Sequence, residues 1–102
     1  MNIKKWNTVS ELEKRFGKMT LGLFLKAFRE AEDASQVQYA KKLGLSRSNL
    51  CDLEKGRKLA SPQRAAQIAK KLGVSAEILI RLALQDQLRQ GNLKYRVELI
   101  AA

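Results

Sequence analysis

Arg47, Ser48, Cys51 and Asp52 stand in the run RSNLCDLE, in which Leu50 and Leu53 mark one side as apolar. At about 100° per residue, a helix that turns those leucines inward presents the other four residues outward, near its own start. Their chemistry suits the edges of base pairs. A guanidinium can bridge O6 and N7 of guanine, a serine hydroxyl beside it donates or accepts, a small apolar group such as the cysteine side chain can touch a thymine methyl, and a carboxylate accepts from cytosine. Arg47 is the strongest base reader of the four. Asp52 carries a second expectation, slightly favoured over the first: a carboxylate at that face meets phosphate repulsion, so it orients Arg47 or Arg57 instead. Nothing specifically activates the Cys51 thiol, so a contact role is expected of it rather than a redox one.

Two short helices must position these side chains. Ser35 is a good N-cap, Tyr39, Ala40 and Leu43 share a helical face, Gly44 can take the left-handed conformation that ends a helix, and Ser46 caps the second helix. The segment SQVQYAKKLGLSRSNLCDLEKGR therefore reads as helix, tight turn and helix, the architecture that lays its second helix into the major groove of DNA.

In this string Gln36, Ala40, Gly44, Ser46, Leu50, Leu53, Glu54 and Gly56 fall at the offsets shared by the Cro/repressor-like helix-turn-helix family, also called Xre-type regulators. The chain resembles that family as far as about Val74. The resemblance implies an all-α, five-helix, lambda-repressor-like DNA-binding domain. It also implies that Gln36 binds a phosphate beside a helix N-terminus, that Asn49 faces another phosphate, and that Lys55, Arg57 and Lys58 approach the backbone from the loop after the second helix. Arg29 and Glu54 are separated as the family's buried ion pair is, which implies a structural link between the first long helix and the end of the recognition helix.

Charge agrees with a polyanionic partner. The 102 residues carry 20 Lys and Arg against 10 Asp and Glu, a net of +10. Nine basic residues against two acidic ones lie between Gln36 and Lys71, so most of the excess sits on the presumed DNA-binding module. Lys41, Lys42, Lys70 and Lys71 read equally well as solvated helix faces, being good helix formers. The basic start MNIKKWNTV lacks the apolar stretch of a signal peptide, and the most apolar run, Ile78 to Leu84, is interrupted by Arg81, so neither export nor a membrane span is expected. The single cysteine excludes an intramolecular disulfide and fits a reducing, cytoplasmic setting. With no histidine, no metal-spaced cluster and no glycine-rich phosphate loop, neither an enzyme nor a cofactor is expected.

Punctuation divides the chain into three regions. Residues 1–19 form an N-terminal arm, in which Thr8 and Glu11 have capping-box spacing and Val9 to Phe16 could make two helical turns. Residues 20–90 form the helix-turn-helix domain. Thr20 caps a helix to about Asp33 with Leu21, Phe24, Leu25 and Phe28 as its buried stripe, and Gly22 weakens its first turn slightly. Ser61 and Pro62 open a helix with Ala65, Ile68, Ala69 and Leu72 inward, and Ser75 opens the last, about Ala76 to Gln90. That last helix has two apolar sides: Ile78, Leu79, Leu82 and Ala83 on one, Ile80, Leu84 and Leu88 nearly opposite. The second side predicts a self-interface, the alternative being that the terminal arms fold back over it.

Residues 91–102 read as a C-terminal strand arm for dimerisation, since LKYRVELI alternates with Leu93, Tyr95, Val97 and Leu99 on one face. An unpaired strand needs a partner for its backbone groups, and an intermolecular sheet is the simplest source, with Tyr95, Val97 and Leu99 in the interface. Pairing near Ile3 to Trp6, or ordering on another protein, would also serve. The expected function is thus a homodimeric, sequence-specific regulator of transcription, a repressor on an inverted repeat of double-stranded DNA. The alternative is an antitoxin that neutralises a toxin protein and autoregulates its operon. A basic RNA-binding protein is a distant third, because the few aromatics look like core.

Overall fold

Thr20, Ser35, Ser46 and Ser61 each start a helix in the same way, the side-chain oxygen accepting the backbone N–H three residues on, at 3.0 to 3.1 Å, from Leu23, Gln38, Asn49 and Arg64. The computed structural model describes residues 18–102. It contains α1 (Leu21–Ala31), α2 (Gln36–Leu43), α3 (Arg47–Glu54), α4 (Pro62–Leu72) and α5 (Ala76–Gln90), and no strand among the described residues. The helical turns expected over Val9 to Phe16, in the N-terminal arm of residues 1–19, lie outside the described residues. Helix α1 stops at Ala31, short of the expected end, because Asp33 takes a left-handed φ of 55° and turns the chain toward α2.

The inward stripes meet as their spacing predicts. Phe24, Leu25 and Phe28 of α1, Tyr39 and Leu43 of α2, Leu50 of α3, Ile68 and Leu72 of α4, and Leu79 and Leu82 of α5 are all buried in one core. Phe24 and Phe28 stack within it at 4.6 Å between centroids. Helix α1 crosses α3 closely at Gly22, where a Cβ would run into the carbonyl oxygens of Leu53 and Glu54 at the end of α3. The glycine that looked like a weak spot in α1 is a point of backbone contact.

The end of α5 clasps the start of α1. Asp86 Oδ2 accepts the Leu21 N–H at 3.0 Å, and Arg89 donates to the Met19 carbonyl at 2.9 Å. Burial outweighs both the Leu21 hydrogen bond and the Arg89 charge, and holds the Asp86 carboxyl above the ordinary aspartate range. A folded-state pKa raised above the unfolded one stabilises most fully below the usual value of about 3.9, and that contribution is lost as pH rises through the raised value. Asp86→Asn keeps an oxygen for Leu21 and removes the titration. Its melting temperature relative to the parent should therefore climb as pH rises from about 4 through the raised pKa of the parent. Thermal melts across that window check this, and a flat or falling difference would refute the assignment.

The strand expected over Leu93–Ile100 is not formed. Asn92, at a φ of 56°, turns the chain after α5, and Leu93 donates back to the Leu88 carbonyl at 2.8 Å. The Gln85 side chain then acts as a substitute for a neighbouring strand. Its Nε2 donates to the Tyr95 carbonyl at 2.7 Å and its Oε1 accepts the Val97 N–H at 2.9 Å. One amide thus satisfies two backbone groups for which the alternating pattern predicted a sheet partner. Val97 and Leu99 are half-buried, whereas Leu93 and Tyr95 stand 50% and 72% exposed. Ile80 departs from its expected place as well, since it is half-buried against the core, while Leu84 and Leu88 are half-buried outside it.

Candidate nucleic-acid interface

The turn between α2 and α3 is built from both sides. Ser35 and Gln38 form a reciprocal capping box at the start of α2, the Gln38 side chain accepting the Ser35 N–H at 2.9 Å. The serine-x-x-glutamine spacing was visible in the sequence as a signal of that start. At the other end Gly44 adopts a φ of 71°, and Lys71 of α4 donates to the Leu43 carbonyl at 3.2 Å. The ammonium meets the negative end of α2, which gives Lys71 a structural task. Lys42 is also engaged, with Glu32 at 3.0 Å and over the Tyr39 ring at 5.4 Å. Lys41 and Lys70 are exposed. The Tyr39 hydroxyl is buried without a hydrogen-bond partner among the described residues, and that burial pushes its phenol well up.

Glu54 organises the far end of α3. It is 7% exposed and accepts from Arg29 Nε at 2.8 Å, Arg29 Nη2 at 3.0 Å and Gln36 Nε2 at 3.2 Å. Arg29 also donates to the Ala34 carbonyl at 3.0 Å, which fixes the link between α1 and α2. A fork-shaped donor on a buried carboxylate sets the angle between helices more firmly than an exposed pair could. Because Gln36 hangs on the same carboxylate, its amide is held at the mouth of α2.

On the outward side of α3, Arg47, Ser48 and Asn49 are exposed, and Cys51 and Asp52 are half-buried. Asp52 does not stand open as a base reader would. Its Oδ1 lies 3.1 Å from Arg57 Nε, its Oδ2 3.5 Å from Lys58 Nζ, and its backbone carbonyl accepts the N–H groups of both residues at 2.8 and 3.3 Å. The loop after α3 is thereby folded back along the helix. Arg57 reaches on to Cys51 Sγ at 3.5 Å, and Lys58 donates to Asn49 Oδ1 at 3.2 Å. Arg57, Lys58 and Asn49 thus form one group tied together by Asp52, while Arg47 is exposed at the start of α3 and Lys55 is exposed at its end. The side-chain positions attach fixed positive charge around two exposed polar residues on a rigid helix. Grouped cations of this kind suit an anionic partner, and the start of α3 beside them presents Arg47 and Ser48 to solvent.

Sequence reasoning missed Gln38, Lys71, Gln85, Asp86 and Arg89. Among these, only Gln38 has a local signal; the others act on partners distant in the chain. Among the described residues no helix is long and apolar enough to cross a membrane.

The comparisons with known proteins point the same way. A helix-turn-helix domain model matches residues 20–82. The immunity repressor protein of Bacillus phage phi105 is 37% identical over 62 residues, covering 61% of this chain and 43% of that protein. An uncharacterised HTH-type transcriptional regulator of Mycobacterium tuberculosis is 40% identical over 58 residues, covering 57% of this chain and 41% of its own length. The ImmF control region 10 kDa protein of the same phage is 34% identical over 65 residues, covering 64% of this chain and 72% of that protein. The chain thus spans about two-fifths of the length of the first two. No solved structure matches it at a significant level.

Proposed function

Because the chain belongs to the helix-turn-helix family of the Cro/repressor-like, or Xre, type, we propose that it is a sequence-specific DNA-binding regulator of transcription, a dimeric repressor that lays α3 into the major groove at each half of an inverted repeat. The observation that carries this reading is the Asp52-centred group. A carboxylate on the outward face of α3 would repel DNA if it stood alone, yet here it is spent on holding Arg57 and Lys58 in place beside exposed Arg47 and Ser48. Arg47, with Ser48 and Cys51 beside it, reads bases. Gln36, Asn49, Lys55, Arg57 and Lys58 take phosphates. The immunity-repressor name of one relative favours a repressor over the antitoxin alternative.

Fluorescence anisotropy with the DNA upstream of its own gene and a scrambled duplex, at two salt concentrations, tests the reading. A preference of about 10³ or more, with affinity falling steeply with salt, is expected of a specific binder that neutralises phosphates. Equal weak binding to every duplex tried, including a selected random pool, would reject it. In the same assay Arg47→Ala should cost roughly 1 to 3 kcal/mol on the preferred site and relax choice at one base position per half-site, while Lys58→Ala should weaken all sequences alike. Equal losses on specific and random DNA would remove Arg47 from the base-reading set.

For the dimer, the supporting features are the half-buried Leu84 and Leu88 of α5 and the exposed Leu93, Tyr95 and Ile100 of the segment that Gln85 holds. Deleting residues 93–102 should lower the mass seen by light scattering at micromolar concentration toward that of a monomer. An unchanged mass would deny the segment this role.

A further inference from the structure

Arg57 belongs to the loop after α3, yet its guanidinium lies on the outward face of that helix. Gly56, at a φ of 73°, reverses the chain, and the Asp52 carbonyl then takes the Arg57 N–H at 2.8 Å. From that anchor the side chain runs back over α3. Its Nε stands 3.1 Å from Asp52 Oδ1, and its Nη2 donates to Cys51 Sγ at 3.5 Å. Cys51 and Asp52 are the residues of the second turn that helical phase directs away from the core, so the guanidinium occupies the place from which a side chain of α3 would meet a base edge. It is 58% exposed there, against 21% for the Asp52 side chain beside it.

The donors left over are those that recognise guanine. A guanidinium is a rigid, planar fork of N–H groups. Nε and Nη2 share one edge of that fork, and both face α3; the Nη1 hydrogens and the second Nη2 hydrogen have no partner among the described residues. A parallel pair of donors from Nη1 and Nη2 is what O6 and N7 of guanine accept. Charge argues the same way. Asp52 carries Arg57 on Oδ1 and Lys58 on Oδ2, so the three side chains together keep one net positive charge. Phosphate contacts draw on net charge, whereas base reading draws on the direction of the donors. Lys58 is a point charge on a flexible stem and suits a phosphate; Arg57, with its plane set by Asp52 and Cys51, has the fixed direction that base reading needs.

We propose that Arg57 reads a guanine in each half-site, with its fork aimed by Asp52, and that Asp52 is a positioning residue rather than a base contact. This rests on the regulator reading above and goes beyond it, since the family resemblance gives Arg57 a phosphate and leaves Arg47 as the base-reading arginine. Arg47 at the start of α3 and Arg57 against its second turn thus address two different base positions of one half-site.

The test uses the full chain and the duplex that it selects from a random pool, with each base pair of one half-site then replaced in turn and binding read by fluorescence anisotropy. The parent should lose about tenfold or more at the guanine that Arg57 reads. Arg57→Ala should bind the selected duplex and that replacement within about twofold of each other, while keeping the parent's preference at the other positions, including the one that Arg47→Ala relaxes. Asp52→Asn keeps the shape of the side chain and removes its charge. It should relax the same position as Arg57→Ala and bind random DNA at least as tightly as the parent, because a positive charge has been uncovered. Lys58→Ala should leave the preference at every position intact. Neither Arg57 nor Asp52 belongs to the core, so these variants should keep the parent's circular-dichroism spectrum; Arg57→Ala, at a mostly exposed side chain, decides the base contact by itself. Equal losses on all sequences for Arg57→Ala would make it a phosphate contact and overturn the proposal while the regulator reading stands. Asp52→Asn relaxing a different position from Arg57→Ala would make the carboxylate a base reader and overturn its positioning role. A parent that selects no sequence would overturn the regulator reading, and this inference with it.

Discussion

Gly22→Ala is expected to lower the melting temperature by about 8 to 16 °C. Two effects oppose each other. Alanine in place of glycine inside a helix gains about 1 kcal/mol from propensity. Against this, a Cβ at position 22 meets the Leu53 carbonyl oxygen, and the Glu54 oxygen at 2.9 Å. Backbone cannot rotate away as the tip of a long side chain would, so α1 and α3 must separate. Overpacking of that kind costs about 3 kcal/mol, at the upper end of the usual range. A net loss of about 2 kcal/mol corresponds to roughly 8 to 16 °C in a domain of this size. Calorimetry or a circular-dichroism melt decides it, and an increase in melting temperature would show that the helices have room to spare. Since the contact is with the end of α3, the variant should also bind DNA more weakly at temperatures where it remains folded.

Arg29→Ala should be costlier still. It removes the bidentate partner from a carboxylate whose side chain is 3% exposed, and leaves Glu54 with the Gln36 amide alone. Breaking a buried pair by deleting one side costs about 3 to 5 kcal/mol, because the remaining charge stays buried without compensation. With total stabilities near 5 to 15 kcal/mol, the melt should fall by at least about 12 °C. Two controls identify the cause. Lys42→Ala, which breaks the exposed pair with Glu32, should cost at most about 1 kcal/mol. The double replacement Arg29→Met with Glu54→Leu removes both charges and should recover much of the loss in stability. It should not recover DNA affinity, since Gln36 would have lost the carboxylate that holds it. A single variant melting within a few degrees of the parent would mean that the pair contributes little.

The alternating pattern of residues 93–100 shows how far sequence reasoning reaches. Alternation put Leu93, Tyr95, Val97 and Leu99 on one face, yet only Val97 and Leu99 are half-buried, while Leu93 and Tyr95 are exposed. What it could not supply was the identity of the group on the other side of the backbone. Gln85 is eight residues earlier than Leu93 and sits inside a helix, with nothing in its local sequence to mark it as a bridge to the Tyr95 and Val97 backbone. The same limit applied to Asp52. Its helical phase was legible and implied two roles; the choice between them depended on where the loop after Gly56 turns, and that loop folds back because the Asp52 carbonyl takes both the Arg57 and Lys58 N–H groups.

By itself, then, the sequence determined the five helices, the side-chain N-caps of the first four and the inward stripes, together with the outward position of Arg47 and Ser48; Ser75, expected to cap α5, makes no side-chain cap hydrogen bond. Those features are local: an N-cap reaches three residues, and a helical face repeats every three or four. Tertiary structure decided the rest. It placed Gly22 against the end of α3, gave Asp86 the N–H of Leu21 from 65 positions away, set Lys71 on the last carbonyl of α2, and hung the Gln36 amide on the buried Glu54 carboxylate, whose pairing with Arg29 the family resemblance had already implied. Each of these joins groups brought together only when separate helices close on a common core, and their distances are fixed by that packing rather than by any spacing along the chain.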